Sequence, residues 1–249
     1  MCYWLIIYCL EKRLVAGSRV EGDFVMQELG RIHQLIIPFF GHNLTFNLEA
    51  IAMSWIVMVI LIVFGFFAAK KKSRFPGPLQ AAGELFVDQL FSLTEDALDK
   101  KRGKTYGPLI CALFMFLVIS NWLGIIPYLE EPTKDLNTPL ALGLLGFVIA
   151  HYAGIKTRGI KEYTKAYFEP FIIMMPLNLI GELAKVVSIS FRLFGNIMGG
   201  SIIILVVSYL TYSVLLPPFL NAFFGLFVGT IQAFVFTMLT VVYISVQVN

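Results

Sequence analysis

Long apolar stretches separated by short polar segments run along most of this chain. Three of them are about the length of one membrane crossing: Ala50–Ala69, Tyr106–Leu129 and Leu136–Ile155. A helix of about 20 apolar residues crosses roughly 30 Å of hydrocarbon, so each stretch predicts a membrane span. The composition agrees, because 58% of the residues are hydrophobic and only 14% are charged, unlike the balance of soluble domains.

The polar segments between the spans predict an orientation. Basic clusters follow the first span (Lys70–Arg74), precede the second (Lys100–Lys104) and follow the third (Lys156–Lys165), whereas Glu130–Asp135 is acidic. Lys and Arg are enriched in cytoplasmic loops. The alternation therefore predicts an external N-terminus and a cytoplasmic C-terminus, with residues 1–43 as an external segment and 44–249 as a single membrane domain.

The segment Pro78–Leu98 has a different pattern, because acidic residues interleave with leucines and phenylalanines. Such a sequence is typical of an amphipathic helix that lies along the membrane interface or packs on neighbouring spans. We expect this helix not to cross the membrane.

Two apolar segments near the C-terminus are longer than one crossing needs. Phe171–Leu216 would extend roughly 70 Å as a straight helix, so it forms either a hairpin of two crossings or one steeply tilted helix. Gly199-Gly200 is the only candidate turn, which favours the tilted helix; Pro217-Pro218 is expected to end it, and Phe219–Asn249 follows. The prediction is an all-α integral membrane protein with about five membrane-crossing helices, the last two long and tilted, plus one amphipathic interfacial helix.

Arg192 is the only charged residue between Val186 and the C-terminal Asn249. An arginine at the centre of a bilayer costs about 3 kcal/mol on insertion scales and ~10 kcal/mol or more in simulations. The guanidinium stays protonated in proteins, so it does not escape this cost by becoming neutral. Arg192 is therefore a candidate functional residue that needs an anion nearby, from this chain or from another.

Helical spacing places other polar residues near this arginine. At about 100° per residue, Lys185, Ser188, Arg192 and Asn196 share one face, Asn178 extends the stripe, and Glu182 lies about a quarter turn aside. Hydrogen bonding between helices explains the serines and Asn178 as well as a functional role does. It does not explain Arg192, because helix association needs no permanent charge.

Several motifs resemble subunit a of F-type ATP synthases of the bacterial type. The resemblance is carried by Pro176–Asn196, by Ile119–Pro127 with Pro132–Asn137, and by Ile231–Tyr243. In order and spacing it extends from about Leu44 to Val246. The arginine motif together with the terminal Gln-Ala-Phe motif is highly specific.

The resemblance implies a stator subunit in the bacterial cytoplasmic membrane, beside a rotating ring of c subunits that each carry a buried carboxylate. Arg192 would face this ring between two aqueous half-channels that do not meet. The implied partners are the c-ring, b-type peripheral stalk subunits, the remaining F1Fo subunits and the lipid bilayer. No nucleic acid, cofactor or metal is implied, and ATP chemistry would belong to other subunits.

The resemblance also suggests roles for individual polar residues. Gln232 matches a glutamine opposite the arginine, where it would hydrogen-bond the guanidinium or the ring carboxylate. Asn196 is expected to line the external half-channel, and Glu182 is the best titratable candidate for the cytoplasmic one. Lys185 either extends toward headgroups or acts directly. For Asn121 and Asn137, polarising the external vestibule and bridging helices remain equal alternatives.

Two positions depart from the family pattern. Many members carry Glu or His where this chain has Ser201, and some carry His or an acid where it has Gly225. We therefore expect the external half-channel to relay protons through water, with Ser201 and Asn196 as its hydrogen-bonding wall. Whether protons or sodium ions are coupled stays open.

Other readings of the sequence remain as alternatives. An autonomous secondary transporter or ion channel is less favoured because the spans show no internal repeat, and a scaffold protein would have no need of Arg192.

The three cysteines and three histidines form no metal-ligand pattern. The codons for Glu21-Gly22-Asp23 would resemble a ribosome-binding sequence ahead of Met26, which predicts translation from Met26.

Overall fold

The computed structural model describes residues 34–39, 42–70, 78–126, 129–168, 174–211 and 216–248. The predicted start at Met26 lies outside these residues, and the boundary between an external segment and a membrane domain remains a prediction. The elements in chain order are β1 (Gln34–Phe39), β2 (His42–Asn47), α1 (Leu48–Lys70), α2 (Pro78–Leu98), α3 (Lys100–Leu123), α4 (Asn137–Arg158), α5 (Ile160–Phe168), α6 (Met174–Thr211), α7 (Leu216–Ala222) and α8 (Gly229–Val248).

Two short non-α segments lie between these helices. Pro132–Lys134 forms a 3-10 turn before α4, and Phe223–Val228 forms a π-helical turn that joins α7 to α8. The two strands pair antiparallel, with Gln34 opposite Asn47 and Phe39 opposite His42. This hairpin was not expected from the sequence, but the all-α class of the membrane protein is confirmed, because all elements from Leu48 onward are helical in the described residues.

Five helices of the described chain are long and apolar enough to cross a membrane, as predicted. They comprise Leu48–Phe66, Lys100–Leu123, Asn137–Arg158, Met175–Ser208 and Leu216–Val248. The amphipathic helix α2 has the predicted bounds and is not one of the five. It packs along α3 and buries Leu90, Thr94 and Leu98, while Glu84, Asp88 and Asp96 are exposed.

The bounds of the second span differ from the expectation. We predicted Tyr106–Leu129, whereas α3 begins at Lys100, inside the basic cluster, and ends at Leu123. Lys and Arg are good helix formers, so hydropathy alone places the start of the helix too late. The helix therefore extends at its N-terminal end beyond the apolar stretch that crosses the membrane.

Helix α6 is one continuous helix of 38 residues, about 57 Å long at 1.5 Å per residue. The continuous helix favours the tilted crossing over the hairpin, since Gly199 and Gly200 are helical. The role predicted for Pro217 and Pro218 is wrong: α6 ends by Thr211, and both prolines lie in the first turn of α7. A helix start tolerates proline because its first N–H groups have no partner within the helix.

Helix α8 lies at the centre of the packing and contacts α2, α3, α4 and α6. One apolar cluster joins α8 to α2, α3 and α6 through Phe236, Leu117 and Leu193. A second cluster joins α8 to α2, α3 and α4 through Ile244, Ile110 and Ala153. Since α8 and α3 are fixed on several sides, they provide a rigid wall against which the polar residues of α6 are positioned.

Candidate functional site around Arg192

Arg192 lies on an exposed side of α6 that is mostly apolar. We call this side the arginine face; it comprises Leu177, Ser188, Phe191, Arg192, Gly195, Ile202 and Val206, all of which are exposed. Phe191 and Ile202 are 51% and 52% exposed. Within the described part of the chain, the Arg192 guanidinium makes no hydrogen bond or ion pair. The expected anion must therefore come from elsewhere.

Glycines leave open space on the surface of α6 beside Arg192. A Cβ added at Gly181, Gly195 or Gly199 would meet no heavy atom within 4 Å. Small residues at such a surface let the backbone of another helix approach closely. The surface beside Arg192 therefore has room for the close approach of another helix.

On the N-terminal side of Arg192, α6 carries an ion pair. Lys185 Nζ donates to Glu182 Oε1 over 2.8 Å, and Lys185 Nζ also lies 5.8 Å from the centre of the Tyr243 ring. The Lys185 side chain is 41% exposed and that of Glu182 only 16%. The pair is locally neutral, so Arg192 remains the cation of α6 without a counter-ion in the described structure.

On the C-terminal side, α6 is joined to α8 by a neutral hydrogen bond. Asn196 Nδ2 donates to Gln232 Oε1 over 2.8 Å. Gln232 is only 6% exposed. The resemblance implies that Gln232 hydrogen-bonds the Arg192 guanidinium or a ring carboxylate. In the structure its carbonyl oxygen instead accepts a hydrogen bond from Asn196, which lies one helical turn from Arg192.

Both partners of this hydrogen bond line a cavity of about 20 Å³. A cavity of roughly 10–15 Å³ with polar partners holds one water molecule. Its polar walls are provided by Asn121, Glu131, Asn196, Ser201, Asn221 and Gln232. Apart from Glu131, these side chains are uncharged, so the cavity can hold water and orient it without fixing an ion.

Asn121 fixes one wall of the cavity. Its Nδ2 donates to the Gly229 carbonyl over 2.8 Å, and its Oδ1 accepts from Thr133 Oγ1 over 2.8 Å. A Cβ at Gly229 would lie 2.9 Å from the Asn121 Cβ, so this close approach depends on glycine. Asn121 therefore bridges helices, which is one of the two alternatives considered from the sequence, and it also lines the cavity.

Glu131 is the charged residue of the cavity wall that the sequence analysis missed. It lies in the loop before the 3-10 turn and is partly buried, with its carboxyl packed on Gly124 so closely that a Cβ there would collide with it. Burial raises the pKa of Glu131 from 4.5 to about 7; Lys134 opposes this shift and Glu130 adds to it. A carboxyl in this position exchanges protons near neutral pH.

Ser201 and Gly225, the two departures from the family pattern, both line the cavity. The Ser201 Oγ donates to the Ile197 carbonyl of its own helix over 3.1 Å. A Cβ at Gly225 would lie only 2.6 Å from Ile125 Cγ1. The π-helical turn thus has no room for a relay side chain at position 225.

The remaining predicted residues lie apart from the cavity. Ser188 is on the arginine face, and Asn178 is exposed near the start of α6. Asn137 begins α4, where its backbone N–H donates to Asp135 Oδ1 over 3.0 Å. In the part of the chain that the structure describes, no group of three His, Cys, Asp or Glu residues could hold a metal ion.

The fold and the site define a multi-pass α-helical membrane protein with an exposed cation beside a polar, water-sized cavity. A family model described as ATP synthase A chain matches residues 51–245, so the chain belongs to the ATP synthase subunit a family. This membership, with bacterial relatives and five apolar helices, makes the chain a multi-pass membrane protein of the bacterial type and a proton-transport component of ATP synthase.

Individual relatives agree with the family assignment. The chain is 34% identical over 210 residues to "ATP synthase subunit a" of Desulforamulus reducens, covering 82% of this chain and 80% of the relative. It is 37% identical over 197 residues to "ATP synthase subunit a" of Moorella thermoacetica, covering 79% and 89%. It is 39% identical over 207 residues to "ATP synthase subunit a 1" of Crocosphaera subtropica, covering 82% and 88%.

Proposed function

We propose that this chain is the ion-translocating stator subunit of the Fo sector of a rotary ATP synthase. In this proposal the arginine face packs against the c-ring, and two offset half-channels pass protons to and from the ring carboxylates. The chain is multi-pass in the bacterial cytoplasmic membrane, with an external N-terminus and a cytoplasmic C-terminus. It assembles with b-type peripheral stalk subunits and the other F1Fo subunits, and it catalyses no reaction on its own.

The observation that carries the proposal is the exposed Arg192 on an apolar surface, without an anionic partner among the described residues. At about 4 Å and an effective dielectric constant of about 20, a guanidinium and a carboxylate attract by about 4 kcal/mol. Since one pKa unit corresponds to about 1.36 kcal/mol, this attraction lowers the carboxylate pKa by roughly three units. A protonated ring carboxylate that reaches Arg192 is therefore driven to release its proton.

The driving force of the membrane matches this attraction. One elementary charge that moves through the full potential gains about 2.3 kcal/mol per 100 mV. A carboxylate held by Arg192 can thus be moved on by the potential. A fixed cation at this point also repels a proton in transit, which prevents a direct leak across the membrane.

The polar groups on the two sides of Arg192 support two separate pathways. The cavity with Asn196, Gln232 and Ser201 lies toward the C-terminal end of α6, and the Glu182–Lys185 pair lies toward its N-terminal end. We assign the cavity to the external half-channel and Glu182 to the cytoplasmic one. Gln232 holds Asn196 at the inner end of the external path.

The test is ATP-driven proton pumping by the whole complex in vesicles, comparing the native chain with Arg192→Ala. We expect Arg192→Ala to abolish pumping while the soluble head still hydrolyses ATP. The matched control is Arg158→Ala, which removes an arginine at the end of α4 and is expected to pump normally. Undiminished pumping by Arg192→Ala would contradict the proposal.

A further inference from the structure

The cavity beside Asn196 has no titratable side chain on α6 or on the π-helical turn. Ser201 and Gly225 line it from these two elements, and neither can bind and release a proton near neutral pH. Glu131 lines the same cavity from the loop between α3 and α4. A titratable group is therefore present, but it comes from a different part of the chain.

Three contacts fix the position of Glu131. Its side chain lies against Gly124, where a Cβ would collide with the carboxyl. The following residues, Pro132 and Thr133, are buried, and Thr133 Oγ1 donates to Asn121 Oδ1 over 2.8 Å. Asn221 Nδ2 donates to the Gly124 carbonyl over 3.2 Å, which ties the same point to α7.

We propose that Glu131 is the proton relay at the mouth of the external half-channel, taking the place of an acid at position 201 or 225. The carboxylate accepts a proton from external water and becomes a neutral acid. It then gives this proton to water in the cavity and returns to the carboxylate. The proton passes on along Asn196 and Gln232 toward a ring carboxylate near Arg192.

The charges around Glu131 fit this relay. Burial raises its pKa to about 7, Glu130 raises it further and Lys134 lowers it. The other polar side chains of the cavity, on α3, α6, α7 and α8, are asparagine, serine and glutamine, so they do not titrate. An acid whose pKa is near the operating pH both gains and loses protons readily.

This inference rests on the proposed function, because it assumes that the cavity is the external half-channel. Its test is passive proton conduction through vesicles that contain the complex stripped of its soluble head, driven by a potassium diffusion potential and measured from pH 5 to 9. The variants are Glu131→Gln, which keeps the size and removes the titration, and Glu131→Asp, which keeps an acid. Glu130→Gln is the matched control, since this neighbouring acid does not line the cavity.

We expect Glu131→Gln to slow conduction about tenfold or more and to remove the inflection of the rate near pH 7. Glu131→Asp should retain most of the rate with a shifted inflection. Glu130→Gln should keep the native rate and an inflection at slightly lower pH, because the Glu130 charge raises the pKa of Glu131. Co-purification of the c subunits with each variant shows that the complex has assembled.

Two results would overturn the relay. One is native conduction and a native pH profile in Glu131→Gln. The other is a loss that is equal at every pH and equally severe in Glu131→Asp, because Glu131 would then be structural. If either occurs while Arg192→Ala abolishes pumping, the relay fails but the proposed function stands; native pumping by Arg192→Ala would contradict the proposed function itself.

Discussion

The two sides of Arg192 on helix α6 differ in chemistry although they belong to the same stripe. Toward the N-terminus, Glu182 and Lys185 form an ion pair over 2.8 Å. Toward the C-terminus, Asn196 and Gln232 form a neutral hydrogen bond of the same length and border a cavity. One helix thus presents an ion pair on one side of Arg192 and neutral groups beside a water-sized cavity on the other.

The distances along the helix explain why the difference matters. Lys185 lies about 10 Å before Arg192 along the axis and Asn196 about 6 Å after it, at 1.5 Å per residue. None of the residues that line the cavity comes from the Glu182 side. In the described structure, the polar groups on the two sides are therefore separated at Arg192, as two half-channels require.

Among changes on the two sides of Arg192, the largest effect is expected from replacing Asn196 on the C-terminal side. Asn196→Leu removes the donor to Gln232 and leaves a buried carbonyl oxygen unpaired, which costs about 1–3 kcal/mol. We expect strongly reduced ATP-driven pumping by the complex in vesicles. Ser201→Ala changes the other polar residue that α6 contributes to the cavity, and we expect a smaller loss because the Ser201 hydroxyl bonds only its own helix among the described residues. Equal losses in both variants would contradict the special role of Asn196, and native pumping by Ser201→Ala would remove the serine from the proton path.

A somewhat smaller effect is expected from adding a methyl group at Gly225 in the cavity wall. Gly225→Ala places a Cβ 2.6 Å from Ile125 Cγ1, and such overpacking typically costs about 1–3 kcal/mol. We expect this variant subunit to dissociate from the heated complex at a lower temperature. Gly83→Ala, in open space on α2, should have no such effect, and Ile125→Ala should restore part of the loss. A native dissociation temperature in Gly225→Ala would show that the π-helical turn adapts.

A still smaller effect is expected from the charged side. The Glu182–Lys185 pair is partly exposed, and pairs of this kind contribute about 0.2–1 kcal/mol. A double-mutant cycle with Glu182→Gln and Lys185→Gln, measured by the same heating of the complex, should give a coupling in this range. In pumping, Glu182→Gln should be the more harmful variant. A greater loss in Lys185→Gln would assign the cytoplasmic role to the lysine.

A separate effect, which concerns stability and not pumping, is a dependence of stability on pH. Because the pKa of Glu131 is raised from 4.5 to about 7, its unfolded form ionises first as the pH rises. Its contribution to stability is therefore full below about pH 4.5 and is lost as the pH rises through about 7. In Glu131→Gln this part of the decline should be missing; an identical decline in both proteins would show that other groups cause it.

Much of the fold could be predicted from the sequence because hydropathy reports directly on membrane crossing. The five spans and the bounds of the amphipathic helix Pro78–Leu98 were predicted in this way. The helix ends were less predictable. Lys100 is polar but helical, and Pro217 begins a helix where it was expected to end one, since polarity and helix formation are separate properties.

The candidate site was predictable only where helical spacing determines it. The spacing places Lys185, Arg192 and Asn196 on one stripe. In the structure Lys185 bonds Glu182 of its own helix and Asn196 bonds Gln232 of α8. The burial of Glu131 depends on how the loop folds over Gly124 and against Asn121, which no local pattern records. The one available signal is an acid directly before a Pro-Thr pair, and by itself its charge indicates only an external loop.

The central claim is that Arg192 separates two aqueous pathways that open on opposite sides of the membrane. The most direct test uses the complex in vesicles, with Cys2, Cys9 and Cys111 replaced and a single cysteine introduced as Ser201→Cys or Glu182→Cys. Each variant is treated with silver ions from one side at a time, because a bulkier thiol reagent would not enter a cavity that holds a single water molecule. The account predicts that Ser201→Cys reacts from the external side only and Glu182→Cys from the cytoplasmic side only. Reaction of both cysteines from the same side would contradict it.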